Sequence, residues 1–243
     1  MLINCDMGES FGSWQIGQDE AVMPYIDMAN IACGMHASDP VVMHQTARNA
    51  KLHGVQIGAH PGYPDLQGFG RRFIEMPLNE LQAFFIYQLG ALNGICQSEG
   101  IEISYVKPHG ALYNAMMKSD SIFIALLEAL AKYNPKLPLM IMAVPDYQRY
   151  QQQAAGFDIK LLFEAFADRT YQNDGRLTPR TQPGSSHQTL DAICNQARYL
   201  IEKQSVICTD GTEIKIKADT LCIHGDGALA AEVARTLRED LLR

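Results

Sequence analysis

Short apolar runs recur along the chain at residues 2–6, 27–33, 55–60, 103–109, 139–144, 159–164 and 221–224. They lack in–out alternation, which is the pattern of parallel strands covered on both faces. Helical periodicity fills the gaps. After Pro77, Leu78, Leu81, Phe85, Leu89, Leu92 and Cys96 step by three or four, and Gly100 ends that helix. Asp39-Pro40 reads as an N-cap followed by a first-turn proline, opening a helix that stops at Gly54. Ile122, Leu126, Leu130 and Tyr133 mark a third helix, closed by Pro135, and Leu229, Val233, Leu237 and Leu241 mark a last. Residues 173–184 read as a loop. Residues 208–217, with Asp210-Gly211 between two short β-type runs, read as a hairpin. Strand, loop and helix in repetition predict an α/β fold with a parallel sheet and right-handed crossovers. A barrel and an open doubly wound sheet both fit this pattern, with the barrel slightly favoured. No linker, low-complexity tract or internal repeat divides the chain, so residues 1–243 are expected to form one domain.

The polar residues add a positional signal, because chemistry in parallel α/β folds collects where strands end. The first run ends in Asn4-Cys5-Asp6-Met7-Gly8-Glu9, and the second leads from Asn30 to His36 and Asp39. The third ends at His60, the fourth in Lys107-Pro108-His109, with Tyr113-Asn114 shortly after. The sixth leads from Glu164 to Asp168-Arg169, and the seventh gives His224-Gly225-Asp226. Four of the seven histidines (His36, His60, His109 and His224) thus fall at strand ends. Any one of them could be a hydrogen-bonded loop residue; four together argue for a site. Gly34, Gly58, Gly62, Gly110 and Gly225 flank these groups and allow tight turns or close backbone approach. Asp226 is placed to cap the helix beginning near Gly227, where free N–H groups can meet an anion.

Composition narrows the class. The chain has 243 residues, 47% apolar and 19% charged, enough for a single core without metal or disulfide staples. A net charge of -7 speaks against a nucleic-acid partner. A local cluster of Lys and Arg can still hold small anions. Six cysteines without a Cys-x-x-Cys pair read as buried thiols in a reducing compartment. No run reaches the length of a membrane span, and no signal-like leader opens the chain, so a cytoplasmic location with no membrane association is expected. Walker A, G-x-G-x-x-G, G-x-S-x-G and His-Glu-x-x-His sequences are all absent. A divalent metal held by Asp6, His36 and His60 from three adjacent strands is chemically reasonable, since a carboxylate and two imidazoles suit zinc or another transition ion.

The strings NCDMGESFG, ANIACGMHASDP, GVQIGAHPGYPDLQGFGRR, VKPHGALYN, EAFADRTYQNDGRLTPR and CIHGDGALA run in order from residue 4 to residue 230. They resemble the LamB/YcsF family, with Met35 and Ser38 standing where Phe and Gly are usual. The resemblance implies a seven-stranded parallel (β/α) barrel of the glycoside hydrolase/deacetylase type. It also implies ATP-dependent 5-oxoprolinase chemistry: 5-oxo-L-proline is opened to L-glutamate while ATP, with Mg2+ as counter-ion, goes to ADP and phosphate. That work is shared with two partners, subunits B and C. Such a reaction needs a base for water, an acid for the leaving nitrogen and cations near phosphoryl oxygens. Asp6, Glu9, His36, His60 and His109 are the candidates for the acid–base or metal centre. Lys107, Arg71 and Arg72 are assigned to the substrate carboxylate or phosphate, with Glu164, Asp168, Arg169, His224 and Asp226 completing the rim. Plainer readings stay open at this point. Arg71 and Arg72 could be paired loop residues, Asp168–Arg169 a structural ion pair, and Glu9 an acceptor for backbone amides. Fold relatives suggest a rival, a stand-alone metal-dependent amidase or carbohydrate deacetylase.

Overall fold

The computed structural model describes residues 1–225, 227 and 229–241. Seven strands, β1 (Leu2–Met7), β2 (Met28–Ala32), β3 (Gln56–His60), β4 (Tyr105–Val106), β5 (Leu139–Met142), β6 (Leu161–Phe166) and β9 (Thr220–Ile223), close into a parallel barrel. Their order around the barrel is the order along the chain, with β9 joining β6 to β1. This resolves the choice between barrel and open sheet. Between β6 and β9, β7 (Ser205–Ile207) and β8 (Glu213–Lys215) form a separate antiparallel pair. The expected hairpin is therefore present, but its first strand precedes Cys208, and residues 208–212 are the turn.

The helices cover the barrel's outer face. They are α1 (Asp19–Val22), α2 (Pro40–His53), α3 (Leu78–Ser98), α4 (Gly110–Lys118), α5 (Asp120–Tyr133), α6 (Tyr147–Ala155), α7 (Leu190–Lys203) and α8 (Ala230–Thr236). A single π turn over Leu237–Leu241 continues the last. Asp39 caps α2 as expected, accepting from the backbone N–H groups of Val41 and Val42, and Gly54 ends it in the left-handed conformation. In α3 the apolar stripe Leu81, Phe85, Leu89, Leu92 and Cys96 faces the core. Each such large side chain contributes roughly 1.5–3 kcal/mol on burial.

One member of that buried face is polar. The Gln88 amide is 1% exposed, accepts from the Gly62 N–H at 2.9 Å and donates to the Gly62 carbonyl at 2.9 Å. This two-point clamp ties the loop after β3 to α3 and so fixes the residues beside His60.

Candidate functional site

Lys107 stands at the centre of the barrel's C-terminal mouth, directly after β4, and is 3% exposed. Its Nζ lies 2.7 Å from Asp6 Oδ1 and 2.7 Å from Glu164 Oε1, with Asn4 Oδ1 at 3.3 Å and Cys222 Sγ at 3.4 Å. β1, β6 and β9 thus converge on one ammonium. Burial opposes the Lys107 charge, but Asp6, Cys222 and Glu164 outweigh it and hold its pKa well above that of ordinary lysine. Burial likewise pushes Asp6 up, but His60 and Lys107 outweigh it and keep its carboxyl well below the usual range. Glu164 is oriented from its other side by Tyr113, whose hydroxyl donates to Oε2 at 2.9 Å.

A polar chain supports this centre from below. Tyr105 Oη donates to Asn30 Oδ1 at 2.7 Å, and Asn30 Nδ2 donates to both Asp6 Oδ1 and Asn4 Oδ1 at 2.8 Å. Asn4 Nδ2 then donates to Thr220 Oγ1 at 3.0 Å. Buried amides and hydroxyls are tolerated here because each has a partner.

Beside Lys107 the imidazoles of His36, His60 and His109 pack together. His60 Nδ1 is 2.7 Å from the Lys107 carbonyl, and His109 Nε2 is 2.8 Å from the Phe69 carbonyl. Carbonyl oxygens only accept, so both outer nitrogens carry hydrogen. When both rings are neutral, the inner nitrogens, His60 Nε2 and His109 Nδ1, face each other at 3.0 Å with their lone pairs convergent, and one added proton would be shared between them. Asp6 Oδ2 lies 3.4 Å from the first, and Glu9 Oε1 lies 3.5 Å from the second. His36 stacks on His109 with centroids 3.7 Å apart, and neither of its buried ring nitrogens has a hydrogen-bond partner. Burial first, then the neighbouring histidines, keeps the pKa values of His36 and His109 well below that of ordinary histidine.

Such a cluster fits a divalent ion. Glu9, His36, His60 and His109 each present a ligand atom within 4.8 Å of the others. Three neutral imidazoles and a carboxylate suit zinc or a related transition ion. Asp6, expected among the ligands with His36 and His60, groups instead with Cys222 and His224. The packing leaves no room for larger residues. A Cβ on Gly62 would lie 2.7 Å from His36 Nδ1, and one on Gly70, at φ +62°, would lie 2.7 Å from both His109 Cδ2 and His36 Cβ. Phe69, the source of the carbonyl that anchors His109, also has a left-handed backbone at φ +55°. That costs a bulky residue roughly 1–2 kcal/mol, offset here by ring contacts with His36 and His109.

Above lies a cavity of about 390 Å³, with Asp6, Glu9, His60, Lys107 and His109 on its floor. At its edge Asp168 Oδ2 is 2.6 Å from His224 Nδ1, and Arg180 Nη2 is 2.9 Å from His224 Nε2. A guanidinium only donates, so Nε2 accepts and Nδ1 carries the hydrogen to Asp168. Arg169 does not pair with Asp168; its N–H groups go to the carbonyls of Ser185 and Thr178 at 3.0 and 2.6 Å. Arg71 lines the cavity and lies over the Phe69 ring at 4.9 Å. Arg72 does not line it. Its Nε donates to Asp65 at 2.9 Å, and that pair closes the loop after β3. Asp226 lies outside the described residues.

The structure thus gathers Asp6, Glu9, His36, His60, Lys107, His109 and Glu164 into one site, with Asp168, His224, Arg169 and Arg71 around it. Sequence reasoning gave no role to Asn30, Tyr105, Gln88, Phe69, Arg176 or Arg180. The first three sit inside apolar or helical runs, and their side chains become informative only when the strands are in register. The two arginines lie in a loop whose composition alone gives no direction.

A closed seven-stranded (β/α) barrel with a buried ionic and imidazole site at its C-terminal mouth is the frame of a small-molecule enzyme. The chain belongs to the LamB/YcsF family, whose sequence pattern it matches over residues 1–243. It is 53% identical over 241 residues to the A subunit of 5-oxoprolinase from Vibrio campbellii, covering 99% of this chain and 95% of that one. The protein of the same name from Chromohalobacter salexigens is 48% identical over 238 residues, covering 98% and 95%. Among solved structures, the lactam utilization protein from Thermus thermophilus matches with a TM-score of 0.91 at 38% identity, covering 100% of this chain and 96% of that one.

Proposed function

We propose that this chain, as one barrel domain over residues 1–243, is the A subunit of an ATP-dependent 5-oxoprolinase that opens 5-oxo-L-proline to L-glutamate together with subunits B and C. The observation that carries this reading is Lys107, held between Asp6 and Glu164 and bordered by imidazoles, at the floor of a polar cavity. The two bacterial relatives, each named as the A subunit of 5-oxoprolinase, support the substrate.

The lactam C–N bond is a stable amide. Breaking it adds a water oxygen to the carbonyl carbon and a proton to the departing nitrogen. Transfer of a phosphoryl group from ATP, with Mg2+, to the amide oxygen releases ADP and makes that carbon more electrophilic. Attack by water and expulsion of the amine then leave an acyl phosphate, which a second water hydrolyses to the glutamate carboxylate and phosphate. In the site, the face-to-face nitrogens of His60 and His109 are the base that takes a proton from water. Lys107 stabilises negative charge developing on the oxygen and donates the proton to the leaving nitrogen. Asp6 and Glu164 keep that ammonium protonated until it acts, and Tyr113 holds Glu164 in place. A divalent ion held by Glu9, His36, His60 and His109 would occupy the lone pairs of His60 and His109, and would then supply Lewis-acid polarisation of the carbonyl in place of their role as base.

Reconstitution of the three subunits tests this reading. Glutamate formation from 5-oxoproline should require ATP and all three chains. Turnover by this chain alone without ATP would instead support a metal-dependent amidase or carbohydrate deacetylase, the activity that the Glu9-histidine set also suits.

A further inference from the structure

We propose that the outer rim of the cavity is a built binding site for a phosphoryl-bearing anion, held chiefly by Arg176 and Arg180, with Lys118 and Arg71 lining the same cavity. The inference rests on the ATP-coupled reading only for the origin of that anion. The geometry stands without it.

The charge around the cavity is uneven. Among the described residues, Arg71, Lys107, Lys118, Arg169, Arg176 and Arg180 line it against two carboxylates, Asp6 and Glu9. Both carboxylates sit on the floor, where Asp6 pairs with Lys107. The rim therefore concentrates positive charge in a chain whose net charge is -7. Its cations are held mainly by uncharged groups. Arg169 bonds two backbone carbonyls, Arg180 the His224 ring and Arg176 the Met117 carbonyl at 3.1 Å. Among the described residues, no carboxylate oxygen lies within 4 Å of Arg169, Arg180 or Lys118, and Arg176 has only Asp174 at 3.6 Å. Burial first, and Arg180 next, push the Arg169 pKa down to about 10.

Three of these arginines share one loop, which is pinned. Thr178 N–H donates to the Thr170 carbonyl at 2.9 Å, and Gln172 N–H to the Arg176 carbonyl at 2.8 Å. Arginine forks held in fixed positions match phosphoryl oxygens bidentately. A single substrate carboxylate would leave most of this charge unused. The cavity volume falls within the roughly 300–1,000 Å³ typical of larger ligands, more than a five-membered lactam fills. A phosphate chain and a single phosphoryl group on the activated amide share the chemistry that this rim recognises.

Calorimetry on the full chain with inorganic tripolyphosphate and inorganic phosphate tests the proposal. Tripolyphosphate should bind, more weakly as salt rises, and Arg176→Gln/Arg180→Gln should weaken it by at least about tenfold. Lys118→Gln, at an exposed position, should weaken it in the same direction, whereas Arg198→Gln on α7 should change nothing. Tighter binding of tripolyphosphate than of phosphate would assign the rim to a phosphate chain; equal binding would assign it to a single phosphoryl group. Absence of binding by the wild-type chain, or wild-type affinity in both the folded double variant and Lys118→Gln, would overturn it. Probe binding lost in the variants, while the assembled subunits never turn over 5-oxoproline, would keep the anion site and discard the reaction.

Discussion

His60 Nε2 and His109 Nδ1 face each other across 3.0 Å while each ring's other nitrogen is committed to a backbone carbonyl. Two lone pairs in that position repel unless both are turned to one metal ion beside them or share a proton. The structure thus predicts that the purified chain binds one divalent ion, measurable by elemental analysis after dialysis against trace zinc. His109→Ala and Glu9→Gln should each lower the bound fraction, and Arg72→Gln, outside the cavity, should not. Metal content indifferent to His109 would show that the pair shares a proton instead.

The pH dependence of stability follows from His36 and His109. In the unfolded chain these residues take up protons near pH 6.5, the ordinary histidine value, give or take about half a unit. In the folded, metal-free chain their pKa values lie well below that. The unfolded state therefore binds more protons as pH falls, and stability, complete above about pH 6.5, declines below it. Asp6, whose pKa is depressed, adds stability that persists until pH falls through the ordinary carboxylate range. Urea midpoints measured in chelator should be level from about pH 8 to 7 and drop by about pH 5. A midpoint unchanged over that lower interval would contradict this assignment.

Lys107→Met should be among the most destabilising single substitutions. It leaves Asp6 and Glu164 buried without their cation, a loss of about 3–5 kcal/mol for a broken buried pair. Adding Glu164→Gln removes one uncompensated charge and should recover part of that loss. Urea denaturation of the two variants reads the difference directly.

Gly70→Ala should damage the site through geometry alone. The added Cβ meets His109 and His36 at 2.7 Å, on a backbone at φ +62° that alanine adopts poorly. Activity of the assembled enzyme should fall at least about tenfold, with a stability loss of roughly 1–2 kcal/mol from the backbone. Gly90→Ala, in α3 with nothing within 4 Å of the added atom, is the matched control.

All seven barrel strands are legible in the sequence because parallel strands buried on both faces read as unbroken apolar runs. The polar residues at their ends mark the mouth of the barrel. α4, α6 and α7 are harder to read. α6, with the sequence YQRYQQQAA, offers few apolar positions to reveal its period, and α4 starts at Gly110 immediately after a site residue. Ser38 illustrates a subtler signal. It stands where glycine is usual, and its φ of +72° explains that preference. Asn4 and Asn30 are legible only as polar residues near strand ends, without a role, since nothing local shows that they meet inside a barrel. Convergence is a property of closure and register, and short-range pattern does not carry it.

The most direct test of the central claim is 5-oxoproline-dependent ADP release by the three assembled subunits carrying Asp6→Asn or His60→Ala in this chain. Both variants should assemble normally and release ADP at no more than about one hundredth of the wild-type rate, the scale of lost acid–base catalysis. Wild-type rates in either variant would contradict the assignment and place the chemistry elsewhere in the complex.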